Sequence, residues 1–263
     1  MVVKIVFLGC TAFSEAILKS LLEHINCELQ AIFSIPRKFK ISYSEEEVIN
    51  SNFADLSTYA EDLNIPFKLV NSENGMKLKD YSSIIEDLKP DVILVMGWYY
   101  MVPKSVRQIP RLGAWGIHAS LLPSYAGGAP LVWAMINGEK VAGVSLFQLS
   151  GGVDDGDIIQ QVSFPIEDTD TIKEVYGKAT ECSIHALTET FDDIENLKFT
   201  PQDTSKIEVW PQRSPADGEI DWSWDADRIR NFIRAQTHPY PGAWTEIDGK
   251  KIIIWDAHII PKK

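Results

Sequence analysis

Apolar and polar positions along this chain switch between two periods, and the switches mark its elements. Residues 3–9 form a nearly continuous apolar run, short enough for a buried strand. The run passes through Gly9-Cys10-Thr11 into a stripe of Ala16, Ile17, Leu18, Leu21 and Leu22, whose spacing gives a helix one packing face. The rhythm then repeats. Strands are expected over 29–34, 65–70 and 91–96, and helices over 53–63 (Leu56, Tyr59, Ala60 and Leu63 on one side) and 81–88. Strands alternating with helices predict an α/β fold with a mostly parallel sheet. The almost wholly apolar 91–96 strand belongs at its centre, covered on both faces.

Further on, the pattern predicts strands over 114–117, 143–149 and 158–164. A helix over 130–136 carries Pro130 in its first turn. A long helix over 171–194 has Ile172, Val175, Tyr176, Ala179, Leu187, Phe191 and Ile194 at helical spacing. After Pro201 the composition turns polar. The expected organisation is a main domain over 1–200 and a small C-terminal region over 201–263. That region holds a helix over 225–235 and a hairpin of 244–247 with 250–255. Asp248-Gly249 between the hairpin strands favours a type I′ turn. Its Trp244, Ile247, Ile252, Ile254 and Trp255 exceed what one hairpin can bury alone, which predicts a homodimer.

Composition narrows the function. At 263 residues the chain can bury one large core, and no apolar run approaches a membrane span. The opening apolar run is too short, and lacks the basic lead, for a signal peptide. Cys10, Cys27 and Cys182 are odd in number and widely spaced; they imply neither disulfides nor a zinc site and fit a reducing cytoplasm. A formal charge of −12 opposes nonspecific nucleic-acid binding. The first turn lacks GxGxxG, which argues against a dinucleotide. The cluster 36–40, with Arg37, Lys38 and Lys40 ahead of the acidic 45–47, is either a phosphate contact or a solvated loop.

The stretch 113–157 carries the candidate chemistry. His118 follows a short apolar strand and precedes Ser120-Leu121-Leu122-Pro123, where proline forces a loop. Gly127 and Gly128 keep that loop thin. Open α/β sheets bind ligands at such strand ends. The 143–149 strand leads to Gly151-Gly152-Val153-Asp154-Asp155-Gly156-Asp157. If the two strand ends finish side by side, an imidazole meets a carboxylate, a pair suited to acyl transfer to an amine. A structural histidine beside an acidic turn is the plainer alternative. Calcium is disfavoured, because the closing glutamate of an EF-hand loop is absent.

His-Ala-Ser-Leu-Leu-Pro at 118–123, Gly127-Gly128-Ala129-Pro130 and Val153-Asp154-Asp155-Gly156-Asp157 resemble the folate-dependent formyltransferases. The segments 210–213, 217–222, 231–235 and 239–243 resemble the part shared by the tRNA and sugar formyltransferases. The resemblance implies a Rossmann-like formyltransferase domain and transfer of formyl from N10-formyltetrahydrofolate, without a metal. The implied acceptor is the amine of an amino-deoxy sugar nucleotide, as in O-antigen biosynthesis. His118 and Asp154 match the catalytic histidine and aspartate. Trp98, Tyr99, Tyr100 and Met101, with Gly152 and Val153, match the folate-binding loops. Phe13, Ser14 and Tyr240 fall on the acceptor side, although Phe13 and Ser14 equally fit a helix staple and cap. His185 is expected to be structural.

Two departures stand out. Gly116 occupies the usual asparagine position, and Ala126 stands where many members carry arginine. Losing one oxyanion donor typically costs about 3 kcal/mol, roughly a hundredfold in rate. Either a water or another side chain donates in place of the asparagine, or the space belongs to a substrate group, or the protein binds folate and nucleotide without efficient turnover. The remaining alternative is a methionyl-tRNA formyltransferase-like enzyme in which a short β element stands in place of a full C-terminal barrel.

Overall fold

The computed structural model describes residues 2–40, 47–71 and 76–260. Glu45 and Glu46, part of the acidic run, lie outside them. In chain order the elements begin with β1 (Val3–Gly9), α1 (Ala12–Glu23), β2 (Cys27–Ser34) and a small pair, β3 (Lys38–Phe39) and β4 (Val48–Ile49). Next come α2 (Ser57–Leu63), β5 (Phe67–Leu69), α3 (Ser82–Leu88), β6 (Val92–Met96), α4 (Lys104–Arg107) and β7 (Ala114–His118). Then follow β8 (Ala126–Gly127), α5 (Pro130–Ile136), β9 (Val141–Gln148), β10 (Ile158–Pro165) and α6 (Ile172–Asp192). The C-terminal part holds β11 (Val209–Trp210), α7 (Ala226–Gln236), β12 (Ala243–Ile247) and β13 (Lys250–Ile254).

Seven strands form one sheet in the order β10-β9-β7-β6-β1-β2-β5. The five from β5 to β7 are parallel, as the strand–helix rhythm predicts. Alternation along β1 splits its apolar run between two cores. Ile5 and Phe7 join Leu18, Leu94, Trp115 and Phe191 on one side, while Val6 and Leu8 join Phe33, Ile85 and Ile93 on the other. A strand covered on both faces has no solvated side to encode, so it reads as unbroken hydrophobicity. Trp115 and Phe191 stack at 5.9 Å, which ties α6 to β7.

One expectation fails in an informative way. β9 runs antiparallel to β7, with His118 opposite Ser145 and Trp115 opposite Gln148. The two strand ends therefore do not finish side by side. Hydrophobic pattern gives the faces of a strand but not its direction, which depends on where the connection re-enters the sheet. The 53–63 helix also begins later, at Ser57. Phe53 makes a bridge to Thr11, and the Asp55 carboxylate accepts the Ser57 N–H at 3.0 Å, closing the first turn.

Beyond residue 200 the chain packs back on the sheet. β11 pairs with β8, and Phe232 and Ile233 of α7 enter the cluster formed with Leu131, Val132 and Met135 of α5. Asp248 and Gly249 have φ of 53° and 70°, as a type I′ turn requires. The hairpin leaves Ile247, Ile252, Ile253 and Trp255 exposed. Among the described residues, no helix is long and apolar enough to cross a membrane.

All three cysteines are free. Burial pushes the Cys10 and Cys27 thiols up to about 12, and it also raises Cys182. A thiol with a pKa near 12 is about 10⁻⁴ thiolate at pH 8, so Cys10 and Cys27 are expected to resist alkylation in the native protein. Mass spectrometry after iodoacetamide should show both modified rapidly only once denaturant is added.

Candidate active site

The loops that follow β1, β6 and β7 meet at the carboxyl edge of the parallel strands. Ser14 Oγ donates to Met96 O at 2.5 Å, and Cys10 Sγ lies 3.2 Å from Gly97 O. Gly97 has φ of +59°, and a Cβ there would sit 2.1 Å from Thr11 Oγ1, so only glycine fits.

His118 ends β7 and is 9% exposed. Its Nε2 lies 2.7 Å from the Tyr125 carbonyl oxygen. A carbonyl can only accept, so Nε2 carries a proton. The other nitrogen, Nδ1, is 3.4 Å from Asp154 Oδ2. Nδ1 and Oδ2 thus face one another, an arrangement suited to passing a proton between ring and carboxylate.

Asp154 arrives by a route the sequence did not disclose. After β9 the chain folds back over the sheet. The Gly127 N–H then donates to Asp154 Oδ2 at 2.8 Å. Gln202 Nε2 donates to the carbonyls of Asp154 and Gly156 at 2.8 and 2.7 Å, pinning the acidic turn. Asp154, Tyr125 and Ala129 all have φ near +50°, at 50°, 55° and 48°. Left-handed backbone in non-glycine residues is disfavoured. Its concentration around the His118–Asp154 pair marks a shape imposed by the site.

A buried serine and a glutamine of β10 fix the loop after His118. Ser145 Oγ donates to Ser120 O at 2.6 Å and accepts the Leu122 N–H at 3.0 Å. Gln161 Nε2 reaches Leu122 O at 2.9 Å and Ser145 Oγ at 2.8 Å. These residues, like Gln202, escaped the sequence reading. The available signal was a serine inside the apolar β9 and a glutamine pair inside β10. Gly127 and Gly128 admit the C-terminal segment: a Cβ on the first would lie 2.5 Å from Trp210 O, and on the second 2.5 Å from Gln212 Cα. Trp210 then packs on Tyr125 and Trp133 at 5.2 and 5.1 Å, with Arg213 4.6 Å over Trp133. Ala126 is fully buried in a cluster with Leu122 and Phe147 and pairs with Val209 in the β8–β11 ladder, where an arginine could not be placed without opening this packing.

A cavity of ≈360 Å³ opens beside Asp154, lined by Val95, Trp98, Tyr100, Met101, Gly116, Ile117, Leu149, Gly152 and Val153, among others. Five of the six expected folate residues thus share one cavity with Gly116 and Asp154. Tyr99 does not line it. Its ring packs on Phe39 at 4.9 Å, and its hydroxyl donates to Asn50 Oδ1 at 3.2 Å. Three larger grooves, ≈730 Å³ beside Arg107, ≈610 Å³ beside Arg230 and ≈510 Å³ beside Glu189, are not lined by Asp154. Chemistry, not size, selects the smaller cavity.

The expected acceptor residues are not gathered there. Ser14 is fully buried and completes a capping box with Thr11. Phe13 packs against the main core. The Tyr240 hydroxyl lies 2.5 Å from that of Tyr176; burial raises both phenols, Tyr176 strongly, so both are neutral at pH 7. His185 is exposed and 3.3 Å from Glu189, a surface contact.

The space beside Gly116 is filled by neither a polar side chain nor an open ligand site. A Cβ there would lie 2.9 Å from Leu149 Cδ2 and 3.4 Å from Phe147 Cε1. Leu149, which donates nothing, occupies the room that an asparagine side chain needs.

An imidazole–carboxylate pair beside a largely apolar cavity, on an open α/β sheet, has the parts of a group-transfer enzyme working by proton transfer. The sequence matches the Formyl transferase family over residues 3–191 and the Formyl transferase, C-terminal domain, over 213–263. The chain belongs to the formyltransferase family, whose members are folate-dependent one-carbon transferases. It is 39% identical over 197 residues to the bifunctional polymyxin resistance protein ArnA of Wigglesworthia glossinidia brevipalpis, a match covering 74% of this chain and 30% of that one. It is 31% identical over 264 residues to the methionyl-tRNA formyltransferase of Caldanaerobacter subterraneus subsp. tengcongensis, covering 98% and 81%. The chain therefore spans less than a third of the first relative and about four fifths of the second. Among solved structures, the N-formyltransferase from Helicobacter canadensis, in complex with folinic acid and dTDP-3-aminofucose, aligns with TM-score 0.69 at 20% identity, covering 96% of this chain and 87% of that one.

The Gly116–Leu149 contact predicts a specific coupling. Gly116→Asn alone overpacks the site and should cost about 1–3 kcal/mol of stability. Adding Leu149→Ala makes room for the amide and should recover part of that loss. Thermal melts of the two single variants and the double variant check it; strictly additive effects would show that the residues do not compete for space.

Proposed function

We propose that this protein moves a formyl group from N10-formyltetrahydrofolate to the amine of an amino-deoxy sugar nucleotide. The observation that carries this reading is the His118–Asp154 pair, whose aspartate lines the cavity walled by Trp98, Tyr100, Met101, Gly152 and Val153. The cavity takes the folate head group. In the reaction the acceptor amine forms a C–N bond to the formyl carbon, the bond from that carbon to N10 breaks, and one proton passes from the amine to N10. Asp154 accepts the amine proton, and the Nδ1 side of His118 supports the developing oxyanion and returns a proton to the leaving nitrogen. Tyr125 and Gly127 hold these two groups in register. The reading includes a cytoplasmic location, a main domain over 1–200 and a small C-terminal region over 201–263.

The acceptor is chosen on charge. A tRNA enzyme must neutralise several phosphates, and this chain carries a net −12. The methionyl-tRNA reading remains the second one, because a relative of that name matches 98% of the chain at 31% identity. A panel of dTDP-, UDP- and GDP-linked amino sugars and methionyl-tRNA, each with N10-formyltetrahydrofolate, separates the readings. Formylation of a nucleotide sugar, with no saturable tRNA binding at low salt, is expected; methionyl-tRNA formylation at a useful rate would reverse the assignment. On the verified acceptor, His118→Ala and Asp154→Ala should each lower turnover by about 10²-fold or more. Near-normal rates in either variant would remove that residue from the mechanism, and binding of both ligands without transfer would leave only a binding protein.

The exposed Ile247, Ile252, Ile253 and Trp255 support a homodimer formed through the hairpin. Light scattering at micromolar concentration should give twice the chain mass. Charged substitutions at Ile252 and Ile253, whose side chains are 43% exposed, should yield folded monomers; a monomeric wild type would refute the dimer.

A further inference from the structure

We infer that Gln202 is a positioning residue for the reaction: its side-chain amide shapes the acidic turn so that the Asp154 carboxylate meets His118. The inference deepens the proton-transfer role given to Asp154 above and rests on it.

The starting observation is what the acidic turn lacks. Its base is closed by the Gln148 N–H, which donates to Asp157 O at 2.9 Å, and by Gly156, where a Cβ would strike Gln148 O. Above that base, among the described residues, no backbone-to-backbone hydrogen bond reaches residues 150–156. Asp154 nevertheless holds φ at 50°, a conformation that a non-glycine residue keeps only when its surroundings impose it. Side chains supply the constraint. Ser150 Oγ bonds the Asp155 carboxylate and accepts the Gly152 N–H at 3.3 Å, which ties the part of the turn that lines the cavity. Gln202 Nε2 ties the part that bears the catalytic carboxylate, through Asp154 O at 2.8 Å and Gly156 O at 2.7 Å.

The chemistry of the amide fixes its orientation. Two carbonyl oxygens accept and never donate, so only the NH₂ of Gln202 can face them. Flipping the amide would set its oxygen against both. At the other end, Gln202 Oε1 is buried without a partner among the described residues. An unpaired buried acceptor is destabilising; its presence here shows that the amide is placed for its donors. The segment carrying Gln202 is itself held on both sides. Thr200 exchanges two backbone bonds of 2.8 Å with Ile158, and Ile207 packs with Leu122, Ala126 and Phe147. Further on, Trp210 pairs with Gly127, whose N–H bonds Asp154 Oδ2. One segment thus holds Asp154 twice, its backbone through Gln202 and its carboxylate through Gly127. Gln202 does not line the cavity beside Asp154, so its effect falls on turnover rather than on ligand affinity.

Gln202→Met tests this, since it keeps the length of the side chain and removes both N–H groups. On the acceptor that wild type formylates, kcat should fall about tenfold or more. KM for N10-formyltetrahydrofolate and for the acceptor should stay within about twofold of wild type, because ground-state binding is untouched. In an Asp154→Ala background the same change should lower kcat no further, because a group acting only through Asp154 has nothing left to position. A merely structural glutamine would give the same loss in both backgrounds. Gln202→Glu, which turns carboxylate oxygens toward the two carbonyls, should be slower than Gln202→Met. Without any acceptor, the ring ¹⁵N resonances of His118 should move in Gln202→Met part of the way toward their positions in Asp154→Asn. Wild-type kcat in Gln202→Met or Gln202→Glu, an equal loss in the Asp154→Ala background, or unmoved His118 resonances overturns the inference. Normal turnover in Asp154→Ala itself would instead overturn the role given to the aspartate, while the resonances still decide whether Gln202 positions it.

Discussion

Both nitrogens of His118 are engaged at once, Nε2 by the Tyr125 carbonyl and Nδ1 by Asp154, and the surrounding loops are shaped to maintain that arrangement. The carbonyl holds the Nε2 side of the ring, and that orientation turns Nδ1 toward the carboxylate. Tyr125 lies seven residues after His118, and Asp154 comes from the turn after β9. Tyr125 must turn through a left-handed conformation to aim its carbonyl, and Asp154 must do the same to aim its side chain. The Gly127 N–H links the two loops by bonding the same carboxylate oxygen that faces the imidazole. Displacing any of these segments would disturb the contact between ring and carboxylate, on which acid–base chemistry by the pair depends.

That dependence explains why the region beyond residue 200 bears on the site. It pairs with the loop at Ala126 and Gly127, and Gln202 grips the turn that holds Asp154. The two glycines at 127 and 128 are thus spacing devices: any side chain there would strike the backbone of Trp210 or Gln212. From other positions, the buried Ser145 and the β10 residue Gln161 bond the backbone of the same loop. A loop held from both sides loses little entropy when a ligand arrives.

Gly116 and Leu149 form a matched pair of another kind. A glycine in β7 gives up a polar side chain, and the residue after β9 fills the space with an apolar one. The exchange makes this part of the cavity wall apolar. Polar contact with a ligand must then come from other parts of the wall and from backbone groups.

The sequence by itself determined the α/β class, the central strands, the capped helices and the Asp-Gly hairpin, and it singled out His118 and the acidic turn as candidates. Each of these rests on local physics: hydrophobic period, glycine and proline geometry, or a short motif whose residues lie close along the chain. Tertiary structure decided what local patterns do not encode. It reversed β9, replaced the expected meeting of strand ends with a turn folded back over the sheet, and placed Tyr99, Ser14, Phe13 and Tyr240 outside the cavity. It also recruited Tyr125, Ser145, Leu149, Gln161 and Gln202. Strand direction is set by the path of the connection, and a buried polar side chain acquires its partner only from a distant segment. Residues separated by dozens of positions meet only when the core has closed, so neither fact is written in any window of the chain.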